Sequence, residues 1–111
     1  MTSKRIPRQF RAGPHMIKVR IISRERMRLC DIAANGKGDK EPPLGLWVDG
    51  ENAILLQRVR IGFNADAQWL AFWHEYFHAL FDRVGESKLS ANEGLVERCA
   101  VMHMQMLGSM K

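Results

Sequence analysis

Residues 64–84 read NADAQWLAFWHEYFHALFDRV, and this stretch decides the fold. Asn64 suits the N-cap of a helix, and Asp66 follows in the first turn, where a carboxylate favours the helix dipole. Six of the nine aromatic residues of the chain lie in this stretch. A helix that is apolar nearly all round is typical of a central, buried position. Gly85 is expected to end the helix as its C′ residue.

The segments before this helix predict a small sheet. Residues 15–22 alternate apolar and basic side chains, which is typical of a strand with one solvated face. Residues 44–48 and 53–57 are apolar runs on either side of Asp49-Gly50, a strong signal for a hairpin. Together these segments predict a three-stranded, mainly antiparallel sheet.

Three further segments complete the map. Residues 24–34 are compatible with either a short helix or irregular chain, whereas residues 35–43 gather glycine, proline and charge and predict an exposed loop. After Gly85, Ser90 can begin a second helix that continues with mainly apolar positions to about Leu107. The predicted fold class is α+β, with the small sheet packed on two helices.

The charge of the chain is concentrated at one end. The 111 residues suffice for one domain, since two cores would each need roughly 50 residues or more. Residues 1–28 hold nine Lys and Arg against one Glu, whereas residues 29–111 hold eight basic and eleven acidic residues. We expect residues 1–14 to form a basic, flexible arm ahead of a domain of residues 15–111. Residues 4–28 would suit a nucleic acid or an acidic partner through counterion release, and a plain solvated tail is the alternative.

The composition favours a cytoplasmic protein. No apolar run reaches the ~18 residues that a membrane helix requires, and the first residues lack the apolar core of a secretory signal, so we expect no membrane partner. Cys30 and Cys99 are therefore expected to be reduced thiols, with one Cys30–Cys99 disulfide as the alternative. The oligomeric state is left open.

The sequence His74-Glu75-Tyr76-Phe77-His78 is an HExxH motif inside the predicted central helix. Histidines four residues apart share one helical face, so both imidazoles can reach a single zinc ion. Glu75 would then lie beside the metal, where it can act as general base on a metal-activated water and pass the proton to the leaving amine. The alternative is a pair of histidines held by hydrogen bonds in an aromatic core. That alternative is weaker, because two imidazoles and a buried carboxylate would all need partners.

A hydrolytic zinc site needs a third protein ligand and one open position. The second predicted helix offers Glu93 and Glu97, one turn apart on a shared face. Ser90 leaves an alternative open, because a capping box would turn Glu93 back to the Ser90 backbone N–H and leave Glu97 as the third ligand. His103 lies about 80° from the face of Glu93 at ~100° per residue, so we expect it at the surface or in an interface.

The second helix also carries a resemblance to known metallopeptidases. Residues 92–97, NEGLVE, resemble the NExxxD element of thermolysin-like gluzincins. Residues 93–100, EGLVERCA, resemble the ExxA-[DN]-x-FA element of ImmA/IrrE-type metallopeptidases, which are compact prokaryotic and phage proteins. The likeness covers about residues 44–107 and implies a minimal zincin-like domain. The chain departs from the second element at three positions, which are Val96 for Ala, Glu97 for Asp or Asn, and Cys99 for Phe.

The resemblance implies a role for each residue of the predicted site. His74, His78 and Glu93 correspond to the zinc ligands and Glu75 to the general base. Glu97 corresponds to the acid that accepts a hydrogen bond from a ligand histidine, a contact that orients the imidazole.

The motif and its spacing predict a zinc metallopeptidase, and the resemblance implies that it acts in the cytoplasm of a prokaryotic or phage-infected cell. We expect it to hydrolyse peptide bonds in a dedicated protein partner, as compact proteases often do. The size itself argues a little for the alternative given below, because 111 residues leave little surface for a deep specificity cleft. An extended substrate is expected to pair with an edge strand of the sheet. The alternative is a non-catalytic metal-binding protein of prokaryotes or phages whose basic N-terminal arm binds nucleic acid.

Overall fold

The computed structural model describes residues 5–36 and 41–110. Residues 1–4 of the expected arm and residues 37–40 of the expected loop lie outside the described part. The elements, in chain order, are β1 (Gln9–Ala12), β2 (His15–Ile22), α1 (Arg24–Asn35), β3 (Gly45–Val48), β4 (Ala53–Gln57), α2 (Ala65–Arg83), α3 (Ser87–Ser90) and α4 (Glu93–Ser109).

The sheet is mixed and has four strands in the order β1-β2-β4-β3 within the described residues. β1 pairs antiparallel with β2, and β3 pairs antiparallel with β4. β2 and β4, however, are parallel neighbours, with Val19 opposite Ile54. The expectation of three mainly antiparallel strands is therefore wrong in the strand count and in the central pairing. The reason is that the chain enters β3 at the end of the sheet where β2 finishes, since Gly45 and Ile21 both lie opposite Leu56. β3 then carries the chain back towards the end where β2 began, so β4 starts there and runs parallel to β2.

The additional strand comes from the expected arm. Residues 9–12, which we expected in a solvated tail, form β1 beside β2, with Phe10 opposite Ile17. The Phe10 ring contacts Phe72 and Tyr76 of α2, with ring centroids 5.9 and 5.3 Å apart. The expectation of a flexible arm is thus wrong for residues 9–12, because the aromatic ring of Phe10 is packed against the core.

The hairpin between β3 and β4 forms where Asp49-Gly50 predicted it, but with a longer turn. Asp49–Glu51 form a turn of 3-10 helix, and Asn52 takes the left-handed conformation with φ 49°. The hairpin is fastened to the last turn of α2, because Trp47 Nε1 donates a hydrogen bond to Asp82 Oδ2 at 2.8 Å and Arg83 forms an ion pair with Asp49. These contacts hold β3 in place beside α2.

The helices begin and end at residues with the required capping chemistry. Of the two alternatives for residues 24–34, the structure has the helix, with Ser23 as N-cap. Asn64 caps α2 by accepting a hydrogen bond from the Ala67 N–H, and Gly85 follows the C-cap with φ 83°. The capping prediction for α2 is confirmed at both ends.

The core lies between the sheet and α2. α2 covers one face of the sheet and α4 packs on α2, whereas α1 contacts β4 from the opposite face. The buried residues of the main cluster are Ile17, Val19, Ile54, Leu56, Phe72 and Ala79.

Cys30 and Cys99 are both free, so the disulfide alternative is wrong. Among the helices of residues 5–36 and 41–110, none has the length and apolar character needed to cross a membrane.

The expected second helix is divided in two. α3 ends at Ser90, and α4 begins at Glu93 after the N-cap Asn92, whose side chain accepts a hydrogen bond from the Leu95 N–H at 3.1 Å. Asn92, and not Ser90, is therefore the residue that starts the long helix. This break places Glu93 at the very beginning of α4, next to the C-terminal half of α2.

Candidate metal centre

The two histidines of the HExxH motif face the start of α4. Their rings lie one turn apart on α2, with centroids 4.9 Å apart. The Oε1 atom of Glu93 lies 3.0 Å from His74 Nε2 and 3.2 Å from His78 Nε2. One carboxylate oxygen and two imidazole nitrogens therefore converge on a single point between α2 and α4.

This donor set fits a zinc ion. Ligand bonds of ~2.0–2.1 Å in a tetrahedron place neighbouring donor atoms ~3.3 Å apart. The two measured separations of 3.0 and 3.2 Å are close to that value, and one ligand atom from each of the three residues lies within 4.8 Å of the others. Two imidazoles with one carboxylate are also a known ligand set of catalytic zinc sites. The structure thus brings together His74, His78 and Glu93, the three residues predicted as ligands.

The second nitrogen of each imidazole has its own hydrogen-bond partner. His74 Nδ1 lies 2.8 Å from Glu97 Oε1, and His78 Nδ1 lies 3.4 Å from Ser90 Oγ. The Ser90 hydroxyl donates its hydrogen to the His78 carbonyl oxygen at 3.2 Å, so its oxygen is left to accept from the ring N–H. These partners assign the proton of both rings to Nδ1, which leaves the two Nε2 lone pairs free for a metal.

Ser90 is a site residue that the sequence reasoning missed. In the capping-box alternative, Ser90 would hold Glu93 away from a metal. That alternative is wrong, because the Ser90 N–H donates to the Glu86 carbonyl oxygen and its side chain contacts His78. The neighbouring Asn92 caps the helix, so Glu93 is free to turn towards the histidines. Glu97 lies on the Nδ1 side of His74, away from the point where the three donor atoms meet.

Glu75 lies on the sheet side of α2, beneath β3. It is only 8% exposed, and its side chain lies so close to Gly45 that a Cβ atom there would come within 2.9 Å of Glu75 Cγ. Burial raises the pKa of the Glu75 carboxyl, against the opposing effects of His74 and His78 and of a hydrogen bond from the Trp47 backbone. A raised pKa makes this carboxylate a stronger base than an exposed one.

The acids around His74 also change the pKa of its imidazole. Burial alone would lower the pKa of His74. The hydrogen bond to Glu97 and the negative charges of Glu75 and Glu93 outweigh burial, so the pKa of His74 is raised. Three acids, Glu75, Glu93 and Glu97, therefore act on His74, and negative charge of this kind also favours a metal cation.

A cavity of about 490 Å³ opens beside the centre. The Glu93 side chain is 71% exposed, so the convergence point is accessible from solvent. Asp31 and Asn35 of α1 also line the cavity, and Asn35 Nδ2 donates a hydrogen bond to Asp31 Oδ1 at 2.6 Å. The volume is that of a typical small-ligand pocket. Its apolar lining consists of Pro43, Leu44, Leu46, Ala67, Leu70 and Ala71.

His103 does not belong to the centre. Its ring packs edge-on against Trp73, with centroids 4.1 Å apart, and also contacts Phe77. The residue is partly exposed and belongs to the contact between α4 and α2, so the structure does not contradict the expectation of a surface or interface position. Aromatic packing explains its place without a role in metal binding.

Comparison of the chain with protein-family models, curated proteins and solved structures finds no match. The resemblance to ImmA/IrrE-type metallopeptidases therefore has no support beyond the sequence itself, chiefly the HExxH motif and residues 93–100. A functional interpretation depends on the geometry of the centre.

Proposed function

We propose that the chain is a zinc-dependent peptidase. One observation carries this proposal, the convergence of His74 Nε2, His78 Nε2 and Glu93 Oε1 at 3.0 and 3.2 Å beside an open cavity. Three protein ligands and an accessible fourth position distinguish catalytic from structural zinc sites. A purely structural site would be closed by a fourth side chain.

Five residues of the chain would take part in metal binding, three as ligands and two as hydrogen-bond partners of the ligands. His74, His78 and Glu93 would hold the zinc, while Glu97 and Ser90 keep the two imidazoles in the required tautomer. When bound, zinc would polarise a peptide carbonyl and lower the pKa of water to ~7. The ligands come from two helices that pack on each other, so the centre needs no large rearrangement to receive the ion.

Glu75 is the proposed general base. Its carboxylate takes a proton from the attacking water and returns it to the leaving amine. Gly45 leaves room for the carboxylate and the Trp47 backbone donates a hydrogen bond to it, so β3 fixes its position. The raised pKa increases its affinity for the proton that it must accept.

The substrate is proposed to be an extended segment of a dedicated protein partner. β3 pairs with β4 on one side only among the described strands, and it borders the cavity through Gly45 and Leu46. An extended peptide can therefore add to its free edge, with backbone hydrogen bonds providing affinity. Following the resemblance to prokaryotic and phage enzymes, we place this activity in the cytoplasm.

The proposed function is tested with the zinc-loaded chain and a mixture of random peptides analysed by mass spectrometry. We expect cleavage that stops on addition of 1,10-phenanthroline and returns on addition of zinc. Because a peptidase for one partner can act slowly on other sequences, the incubation covers enzyme concentrations up to the micromolar range. Absence of chelator-sensitive cleavage over that range would contradict the proposal.

Replacement of Gly45 by alanine is expected to reduce peptide hydrolysis by ~10²-fold, because the new Cβ displaces the Glu75 carboxylate and small displacements of a catalytic group have effects of this size. The same Cβ would come within 3.1 Å of Leu56 Cδ2, so a small loss of thermal stability is also expected. Zinc affinity should remain unchanged, since Gly45 does not contact the ligands.

Gly50→Ala is the matched control. Gly50 lies in the turn that follows β3, its φ is not positive, and an added Cβ meets no atom within 4 Å. Steady-state kinetics and a zinc competition titration are measured on both variants. Equal activity of Gly45→Ala and Gly50→Ala would show that β3 does not position Glu75.

A further inference from the structure

The face of the sheet opposite α2 is only partly covered. In β2, Ile17 and Val19 point into the core, so the alternate residues Lys18 and Arg20 point to the opposite face, where both are exposed. The register with β1 puts Arg11 on this same face, opposite Met16. α1 covers the β4 end of the face and leaves the β1 and β2 end open.

This open area is strongly basic, and we call Arg11, Lys18, Arg20 and the nearby Arg26 of α1 the basic sheet face. Arg20 and Arg26 line one groove of about 290 Å³ between β2 and α1. Residues 5–24 contain six Lys and Arg and no Asp or Glu. Neighbouring positions on one face of a strand are ~7 Å apart, so the cations are close enough to repel one another.

The cations of the basic sheet face lack acidic partners in the described part of the chain. None of the four forms an ion pair with a residue of the ranges 5–36 and 41–110. By contrast, Arg24 is paired with Glu41 at 2.7 Å, and Arg83 is paired with Asp49. Glu51 is the one acid in the described lining of the groove. A polyanion would relieve the repulsion between these cations.

We propose that the basic sheet face binds the phosphate backbone of a double-stranded nucleic acid. A duplex offers one negative charge per ~1.7 Å, and its counterions are released when Lys and Arg replace them. The side chains on this face can contact phosphates but include no set of residues for reading bases, so binding is independent of sequence.

The side chains of this face argue against other polyanions. All nine aromatic residues lie in the described ranges, and those of the sheet, Phe10 and Trp47, pack on the α2 side. The face therefore has no ring on which unpaired bases could stack, which disfavours a single strand. It also lacks the Trp and Tyr anchors of a membrane-binding surface, and Met16 is its one exposed large apolar residue.

Duplex binding is independent of the proposed peptidase. The metal centre lies beside β3, at one edge of the sheet, whereas the basic sheet face is formed by β1 and β2 at the other edge. Both surfaces can thus be occupied together. Removing residues 1–14 would delete β1 along with Arg11, so side-chain substitutions are the cleaner test.

The test measures fluorescence anisotropy of a labelled 20-base-pair DNA duplex with the full zinc-loaded chain. Four phosphate contacts predict a slope of log affinity against log salt near −3.6, which is about a 10²-fold loss between 50 and 200 mM NaCl. Lys18→Gln/Arg20→Gln is expected to bind more weakly and to reduce the slope by ~2. A matched RNA duplex shows whether one or both kinds of duplex are bound, and either outcome supports the proposal.

Lys88→Gln/Arg98→Gln is the control, since it removes the same charge from exposed positions on α3 and α4. Unchanged duplex affinity is expected, with melting curves showing that both double variants are folded. The salt slope of the unmodified chain tests the proposal without any variant. The proposal is overturned if both double variants lose affinity equally, if the slope is near zero, or if a single strand or phosphatidylglycerol vesicles bind more tightly than the duplex.

Discussion

Replacement of Glu75 by glutamine is expected to lower the kcat of peptide hydrolysis by about 10²–10⁴ while one zinc stays bound. The amide has the same shape as the carboxylate and keeps an oxygen that can accept the Trp47 hydrogen bond, but it cannot take a proton from water. Glu75 contributes no atom to the point where His74, His78 and Glu93 converge, so the three proposed ligands remain and one zinc should stay bound.

Glu51→Gln, at an exposed acid in the turn after β3, is the matched control for the lost charge and should retain full activity. Kinetics and zinc content are measured on both proteins. Loss of zinc from Glu75→Gln would mean that this residue is a ligand and not a base. Full activity with zinc retained would show that Glu75 is not the general base.

The second large effect is a loss of zinc affinity on replacing either of the two acids of α4. These acids contact different nitrogen atoms of the imidazoles. Glu93 lies near the Nε2 atoms of both histidines, whereas Glu97 contacts Nδ1 of His74. Glu93→Gln removes a proposed charged ligand and should reduce zinc affinity by more than the ~100-fold upper range of an orienting contact. Glu97→Gln removes only an orienting contact, which is typically worth about 10–100-fold.

Competition titration against a chromophoric chelator provides both affinities. Glu86→Gln, an exposed acid before α3, serves as the control and should bind zinc as the unmodified chain does. A lower zinc affinity in Glu97→Gln than in Glu93→Gln would show that Glu97 is the ligand and Glu93 the orienting acid. Unchanged zinc affinity in both variants would show that neither acid takes part in zinc binding.

Features that depend on local sequence could be predicted. Asn64 and Gly85 bound α2 because capping is decided by neighbouring residues. The strand at His15–Ile22 and the hairpin around Asp49 follow from alternation and turn residues. The spacing of the HExxH motif on a helix also predicted that His74 and His78 would share a face, as they do.

Features that depend on distant contacts could not be predicted. Residues 9–12 form β1 because Phe10 reaches Phe72 and Tyr76 of α2, which no local pattern signals. The parallel pairing of β2 with β4 arises because β4 lies between β2 and β3 in the sheet, with β3 at the edge.

The start of α4 shows the same limit. Ser90 and Asn92 both suit an N-cap by residue type. Asn92 is the N-cap of α4, whereas the Ser90 hydroxyl contacts His78, twelve residues earlier. A local rule therefore named the wrong cap. The contact that decided between the two residues belongs to the candidate metal centre itself.

The proposed peptidase requires that His74, His78 and Glu93 together bind one zinc ion. Elemental analysis of the chain, incubated with zinc and freed of excess ion by gel filtration, measures this directly, beside His74→Ala/His78→Ala. We expect one zinc per unmodified chain and none in the double variant, with melting curves showing that both are folded. No zinc in the unmodified chain, or one zinc retained by the double variant, would contradict it.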